Sequence, residues 1–140
     1  MQIEQLISFS EKDHEDLSVL LPELSERLTL SKERLQDVIA DPATRLYVAR
    51  ENGRIVGFAS LCVYEVPSSR KGIIEDVVVL EEYRRRHIGK MLIEHIVAVA
   101  GSMKPIELQL TSKPSRAAAN LLYQTLGFMK VETNCYRIRL

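Results

Sequence analysis

Seven consecutive residues, Arg84, Arg85, Arg86, His87, Ile88, Gly89 and Lys90, gather four fixed cations around one glycine. Such a cluster suits an anion with several oxygens, because guanidinium groups present forked donors that match phosphate. The glycine adds a second device, since a position without a Cβ lets the backbone approach a ligand closely. From Arg86 the spacing Ile88, Leu92, Ile96, Val99 is helical, with Met91 and His95 beside the stripe. A helix beginning here directs its unpaired N–H groups, and the positive end of its dipole, at whatever lies ahead of it. The preceding run "IIEDVVVL" reads as a strand buried on both faces at its end. Strand, basic loop and helix start together have the physics of a phosphate-binding loop, with a pyrophosphate as the natural guest. Three arginines alone would be an ordinary solvated helix start; the strand before them and Gly89 after them favour the anion site.

That local charge is notable because the chain as a whole is balanced. Its 140 residues carry 19 Lys plus Arg against 19 Asp plus Glu, a formal net charge of zero. A general electrostatic partner such as duplex nucleic acid is therefore not implied, and "YRRRH" and "SKPSR" lack interleaved aromatic residues. With 46% hydrophobic and 27% charged residues, the chain has the size and balance of one globular domain, residues 1–140. Cys62 and Cys135 lie far apart, with neither metal-ligand spacing nor a redox pair motif, so no metal is expected and a reducing cytoplasm fits. The start "MQIEQLISFSEKDHEDL" is acidic where a signal peptide needs a basic, then apolar, stretch, and no run approaches a membrane span. The expectation is a cytoplasmic protein with no membrane partner.

The elements that must position the loop alternate in kind. "IEQLISF" is a first strand, and Ser10 stands three residues before Asp13 in the pattern of a capping box, opening a helix that stops near Pro22. "SKERLQDVIA" places Leu35, Val38 and Ile39 on one face of a second helix, ending before Asp41 and Pro42. "RLYVARENGRIVGFASLCVYEV" has β-rich runs on both sides of Asn52-Gly53, a dipeptide suited to a type I′ hairpin turn. "PSSRKG" reads as a loop, "IELQLT" as a strand, "SRAAANLLYQTLGF" as a helix closed by Gly127, and "CYRIRL" as a terminal strand. The order predicts an α/β chain with a mixed, mostly antiparallel sheet, helices on both faces, and a parallel βαβ crossover through the basic loop.

At these residues the sequence resembles the GCN5-related N-acetyltransferase (GNAT) family, whose acetyl-CoA loop is usually written (Q/R)xxGx(G/A). Arg84 and Gly89 match its ends, and His87 stands where the first glycine would be. "IEDVVV" looks like the family's central strand, and "SRAAANLLYQTLGF" looks like its second motif, with Asn120, Tyr123, Gly127 and Phe128 in the expected spacing. The resemblance covers most of the chain from Arg45 onward, and it implies a GNAT-like fold with acetyl-CoA as cosubstrate. Acetyl transfer needs an amine to lose a proton, attack a thioester carbonyl and expel a thiolate that gains one. The resemblance assigns the pantetheine arm to the backbone of Val77, Val78 and Val79, with one N–H serving as an oxyanion donor. It places Tyr123 beside the CoA sulfur as general acid and Asn120 against the CoA arm. Glu75, on the central strand just ahead of the pantetheine segment, is the expected base, and strand alternation turns Asp76 to the opposite face.

The resemblance implies as acceptor a primary amine of a small molecule or, second, a peptide, seated against the first two helices and the hairpin. There Glu23, Glu26 and Glu33 would attract a cation, while Arg27, Lys32 and Arg34 offset them. A non-catalytic acyl-CoA-binding module is the alternative, favoured by His87 in the loop. The terminal "CYRIRL" also suits strand pairing across a homodimer.

Overall fold

The computed structural model describes residues 1–140, which form two compact units, Met1–Leu110 and Thr111–Leu140. In the first unit five strands make one sheet in the order β1 (Gln2–Gln5), β2 (Thr44–Glu51), β3 (Arg54–Val66), β4 (Ser69–Val79) and β5 (Glu107–Gln109). Every neighbouring pair is antiparallel except β4 and β5, which are parallel. The connection between those two contains α3 (Ile88–Gly101), so the predicted βαβ unit is present. The mixed α/β class is as expected.

Local chemistry explains most boundaries. Ser10 caps α1 (Glu11–Leu20): its Oγ accepts from the Asp13 N–H at 3.1 Å while the Asp13 carboxylate accepts from the Ser10 N–H at 3.2 Å. Pro22 ends that helix in a short 3-10 turn, Leu21–Glu23. Ser31 caps α2 (Lys32–Ala40) by accepting from the Arg34 N–H at 3.0 Å. Asn52 and Gly53 both take positive φ, +51 and +81, joining β2 to β3 in the two-residue turn read from the sequence. The core is built from Leu17 and Leu20 of α1, Leu35 of α2, Ile55 and Leu61 of β3, and the α3 stripe. Ile88, Leu92, Ile93 and Ile96 of that stripe are at most 2% exposed. Burial of each such side chain contributes about 1.5–3 kcal/mol, so the helix behind the basic loop is firmly seated. No helix is long and apolar enough to cross a membrane.

Several boundaries differ from the sequence reading. The first strand is Gln2–Gln5, antiparallel to β2, so only Ile3–Gln5 of the expected "IEQLISF" belongs to it, and Ser8 and Phe9 lead into the α1 cap instead. The stretch "PSSRKG" is mostly strand: Pro67 and Ser68 alone form the turn, and Ser69 already pairs with Val66. The polar residues that suggested a loop are the exposed end of a long hairpin, where side chains need not be apolar. The helix begins at Ile88 rather than Arg86, because His87 takes a left-handed conformation that ends the loop. β5 is only three residues long.

In the second unit α4 (Ala117–Thr125) runs to Gly127, whose φ of +99 closes it as predicted. The expected terminal strand is absent. Residues 128–140 join no ladder, and Tyr136, Ile138 and Leu140 are exposed. Alternation gives a segment the capacity for strand pairing, but a strand exists only with a partner edge.

Candidate active site

The site grows from an irregularity in β4. Phe58 pairs with Val78 and Ser60 with Glu75, so Ala59 on β3 faces two residues, Asp76 and Val77. This is a β-bulge, and Asp76 is its turning point at φ +53, the conformation that glycine adopts most readily. The bulge interrupts the alternation of the strand between Asp76 and Val77, which both lie opposite Ala59. Glu75 opposite Ser60 and Val78 opposite Phe58 share one face of the sheet, whereas Ile74 and Val79, opposite Leu61 and Gly57, share the other. Glu75 and Asp76 are both exposed, Val77 and Val79 half-buried and Val78 buried. Partial desolvation pushes the Asp76 carboxyl above its usual carboxylate range.

The edge of β4 away from β3 is open along the same stretch. β5 pairs with Lys71, Gly72 and Ile73 and then ends, so no strand continues the ladder beside residues 74–79. At the strand end the chain passes through a 3-10 turn, Glu81–Tyr83, into the arginines. Gly57 makes room here: a Cβ on it would lie 3.0 Å from the Val78 carbonyl and 3.4 Å from the side chains of Ile88 and Val79. The Ile88 side chain is therefore core, and only its N–H faces the loop.

The loop itself is shaped by two left-handed residues, Arg85 at φ +65 and His87 at φ +62. Histidine accepts this conformation better than most residues, which is how the loop keeps its course without glycine at that position. His87 is the N-cap of α3 but gives it no side-chain hydrogen bond. The first N–H groups of the helix are thus left to solvent or a ligand. Gly89 is half-buried, and a Cβ there would meet only Val79 Cγ2, at 3.9 Å.

The four cations are not equivalent. Arg84 donates to the Val79 carbonyl at 3.3 Å and to Glu23 at 3.2 Å. Arg86 donates to Glu51 at 3.2 Å and stacks 4.8 Å over the Tyr83 ring, with Arg54 5.9 Å from the same ring. Lys90 pairs with Glu94 at 3.6 Å. Arg85 has no such partner, so it is the unneutralised charge of the cluster. The carboxylates that engage Arg84 and Arg86 lie in a 3-10 turn and a strand, 61 and 35 positions away, and no local pattern reveals them.

Glu23 is the acidic residue of the expected acceptor region that reaches this loop, and its turn lies against β4. Glu26 and Glu33 are exposed and make no ion pair. His14 is structural, its Nε2 lying 2.7 Å from the Leu30 carbonyl, and His95 packs edge-on against Tyr47 with ring centres 5.0 Å apart. Cys62 is half-buried beside Thr44 and Cys135 exposed, both free thiols. A hollow lined by Glu4, Phe9, Asp13 and Arg50 offers no free charge, because Arg50 pairs with both carboxylates. No group of three or more metal-ligating side chains is present.

In the second unit Tyr123 is buried and packs edge-on against Phe128 with ring centres 6.2 Å apart. Asn120 is half-buried, and its Nδ2 donates to the Lys113 carbonyl at 3.0 Å, tying the segment before α4 to the helix. Ser112 holds a buried Oγ without a hydrogen-bond partner, which the sequence reading did not single out.

A model of the Acetyltransferase (GNAT) family matches residues 6–128 of this chain. The structure of a Trypanosoma brucei acetyltransferase is 27% identical, covers 99% of both chains and superposes with a TM-score of 0.80. AAC(6')-Iy in complex with a bisubstrate analogue, CoA-S-monomethyl-acetylneamine, has the same fold at 22% identity and a TM-score of 0.77, covering 99% of this chain and 98% of its own. The PanD regulatory factor of Salmonella typhimurium is 26% identical over 128 residues, 91% of each chain.

Proposed function

Because this chain belongs to the GNAT family of acetyltransferases, we propose that it transfers the acetyl group of acetyl-CoA to a primary amine of a small molecule or a peptide, by direct attack in a ternary complex. One observation carries the reading: the open backbone of Val77–Val79 leads directly into a helix start that no side chain caps and that basic residues surround. A pantetheine arm extends that open edge as an added strand would. The diphosphate then meets the N–H groups of Ile88, Gly89 and Lys90 with Arg85 beside them, an anion at a helix N-terminus. The other loop cations, Arg84 and Arg86, hold the loop's shape through Glu23 and Glu51, so their main service to the cofactor is indirect.

For the chemistry, a backbone N–H among Val77–Val79 steadies the carbonyl oxygen, a contribution of about 2.7–4 kcal/mol in comparable sites. Tyr123 protonates the departing sulfur through its phenol O–H, and Asn120 contacts the CoA arm. The proton of the amine goes to a carboxylate of the bulged stretch, where Glu75, the base expected from the sequence, and Asp76 stand side by side. Two free thiols suit a reducing, cytoplasmic setting.

The test is calorimetric titration with acetyl-CoA, CoA and dephospho-CoA, followed by thiol release from acetyl-CoA in the presence of amines. Micromolar binding with amine-dependent release supports the enzyme; absence of binding by the folded, CoA-free protein would end the reading.

A second reading has its own support in the similarity to a PanD regulatory factor. It is an acyl-CoA-binding module that reports the bound cofactor to another protein and transfers nothing. Tight acetyl-CoA binding with no thiol release across a broad amine panel would favour it. A light-scattering mass of one chain would remove the homodimer from either reading.

A further inference from the structure

We infer that Asp76, rather than Glu75, takes the proton from the acceptor amine, directly or through one water, in the acetyl transfer proposed above, on which this assignment rests. The backbone is strained at this residue. Asp76 holds φ +53 inside a strand, at a bulge that glycine would build without strain. Strain kept where a residue without a side chain would relieve it points to work done by the side chain.

The Asp76 carboxylate is also unengaged. Asp13 accepts from Ser10 and Arg50, and Asp16 accepts from Lys12 and from the Ile55 N–H. Asp76 has no hydrogen bond and no ion pair, although the protein partly desolvates it. The residues opposite the bulge on β3, Phe58 to Ser60, carry no charge. On the other elements packed against β4, Glu23 is paired with Arg84, Lys90 with Glu94, and His95 lies on Tyr47. Glu107 of β5 faces Lys71, at the far end of the short parallel ladder. Of the carboxylates of β4 itself only the adjacent Glu75 is also unengaged, and it lies on the Phe58 face of the strand.

Asp76 immediately precedes the open backbone of Val77–Val79, so a group bound there places its reacting end within a residue or two of this carboxylate. A base whose pKa is drawn upward from the ordinary carboxylate range accepts protons more effectively near neutral pH.

The ammonium of the acceptor gives one proton to the Asp76 carboxylate, and the freed lone pair forms the N–C bond to the thioester carbonyl. The C–S bond breaks with its electron pair on sulfur. The sulfur takes up one proton as the nitrogen loses its second, and Asp76 returns its own to water, for a net release of one proton.

The experiment compares wild type, Asp76→Asn, Asp76→Gly and Glu75→Gln in the full chain. Thiol release from acetyl-CoA is followed with spermidine, glucosamine, lysine and an alanine-initiated peptide, between about pH 5 and pH 9. Acetyl-CoA binding and thermal unfolding are measured in parallel. Both Asp76 variants are expected to lower kcat by about 10²-fold or more and to flatten the acid limb of kcat/KM. Acetyl-CoA affinity stays at the wild-type value, and Glu75→Gln keeps the limb. Asp76→Gly should melt no lower than wild type, since it relaxes the bulge, which separates lost chemistry from lost structure. Wild-type kcat in either Asp76 variant, or loss of the limb in Glu75→Gln alone, would overturn the assignment. Acetyl-CoA bound with no thiol released by any of the four amines would overturn it too and leave the cofactor site standing. No acetyl-CoA binding would remove the acetyl-transfer reading itself, and Asp76 with it.

Discussion

Two helix starts in the first unit are held by neighbouring residues of one strand and finish in opposite states. Arg50, near the end of β2, donates to Asp13 in the first turn of α1 at 2.8 Å and pairs also with Glu4. Glu51, the next residue, accepts from Arg86 in the loop before α3. At α1 the anion that a helix N-terminus attracts is supplied by the chain itself: the Asp13 carboxylate closes the capping box and neutralises Arg50. At α3 the helix start carries no cap, the loop cations outnumber their acidic partners by Arg85, and the anion must come from outside. The same dipole physics is spent on stability in one place and kept for a ligand in the other. A helix terminus is thus diagnosed by what already satisfies it.

This contrast can be broken from either side. The largest effect is expected at α3: Gly89→Trp should weaken acetyl-CoA binding more than about 100-fold, roughly 2.7 kcal/mol. The fold should survive, because a Cβ at Gly89 meets nothing closer than 3.9 Å. Calorimetry with a circular-dichroism control checks both halves, and unchanged affinity would show that the open helix start is not the diphosphate site.

Next comes the sealed terminus. Asp13→Ala removes the reciprocal cap and one of two partners of Arg50, at a cost of about 1–3 kcal/mol in chemical denaturation. The Arg50 guanidinium holds the Asp13 carboxyl below its usual range. Its contribution is therefore present above the unfolded-state value of about 4 and is lost as pH falls through the lower folded value. Wild type and variant should differ at neutral pH and converge in acid. A difference independent of pH would mean that the ion pair contributes nothing.

Arg85→Ala should lower acetyl-CoA affinity by about tenfold, the value of one charge-assisted hydrogen bond discounted for exposure. Arg86→Ala, whose cation is already held by Glu51 and Tyr83, should change affinity less; the reverse order would contradict the partition of the loop charges. His87→Gly is the smallest change. Relief of the left-handed histidine should raise stability by about 1 kcal/mol in a melting experiment, with affinity retained or improved.

Asp76 shows why the site was only partly legible. The strand "IIEDVVVL" and the basic loop could be recognised in place, because periodicity and charge are properties of short stretches. The bulge could not, since an extra residue in one strand is defined only against the register of its partner, here Ala59 of β3. Counting alternate residues along the strand therefore carries as far as Asp76 and loses the register at Val77. "PSSRKG" was misjudged similarly: its polar composition suits a loop, but pairing with Tyr64, Glu65 and Val66 makes it strand.

What the amino-acid order determined by itself was whatever neighbours within one turn decide. The Ser10 and Ser31 caps, the Asn52-Gly53 turn, the α3 stripe and the glycine ending α4 all belong to that class, because their energies come from backbone and side-chain groups a few residues apart. The tertiary structure alone decided which charges of the arginine loop are occupied, where β5 stops and leaves β4 open, and which carboxylate sits at a strained bulge. Those outcomes depend on groups brought together from distant parts of the chain, and only packing can bring them there.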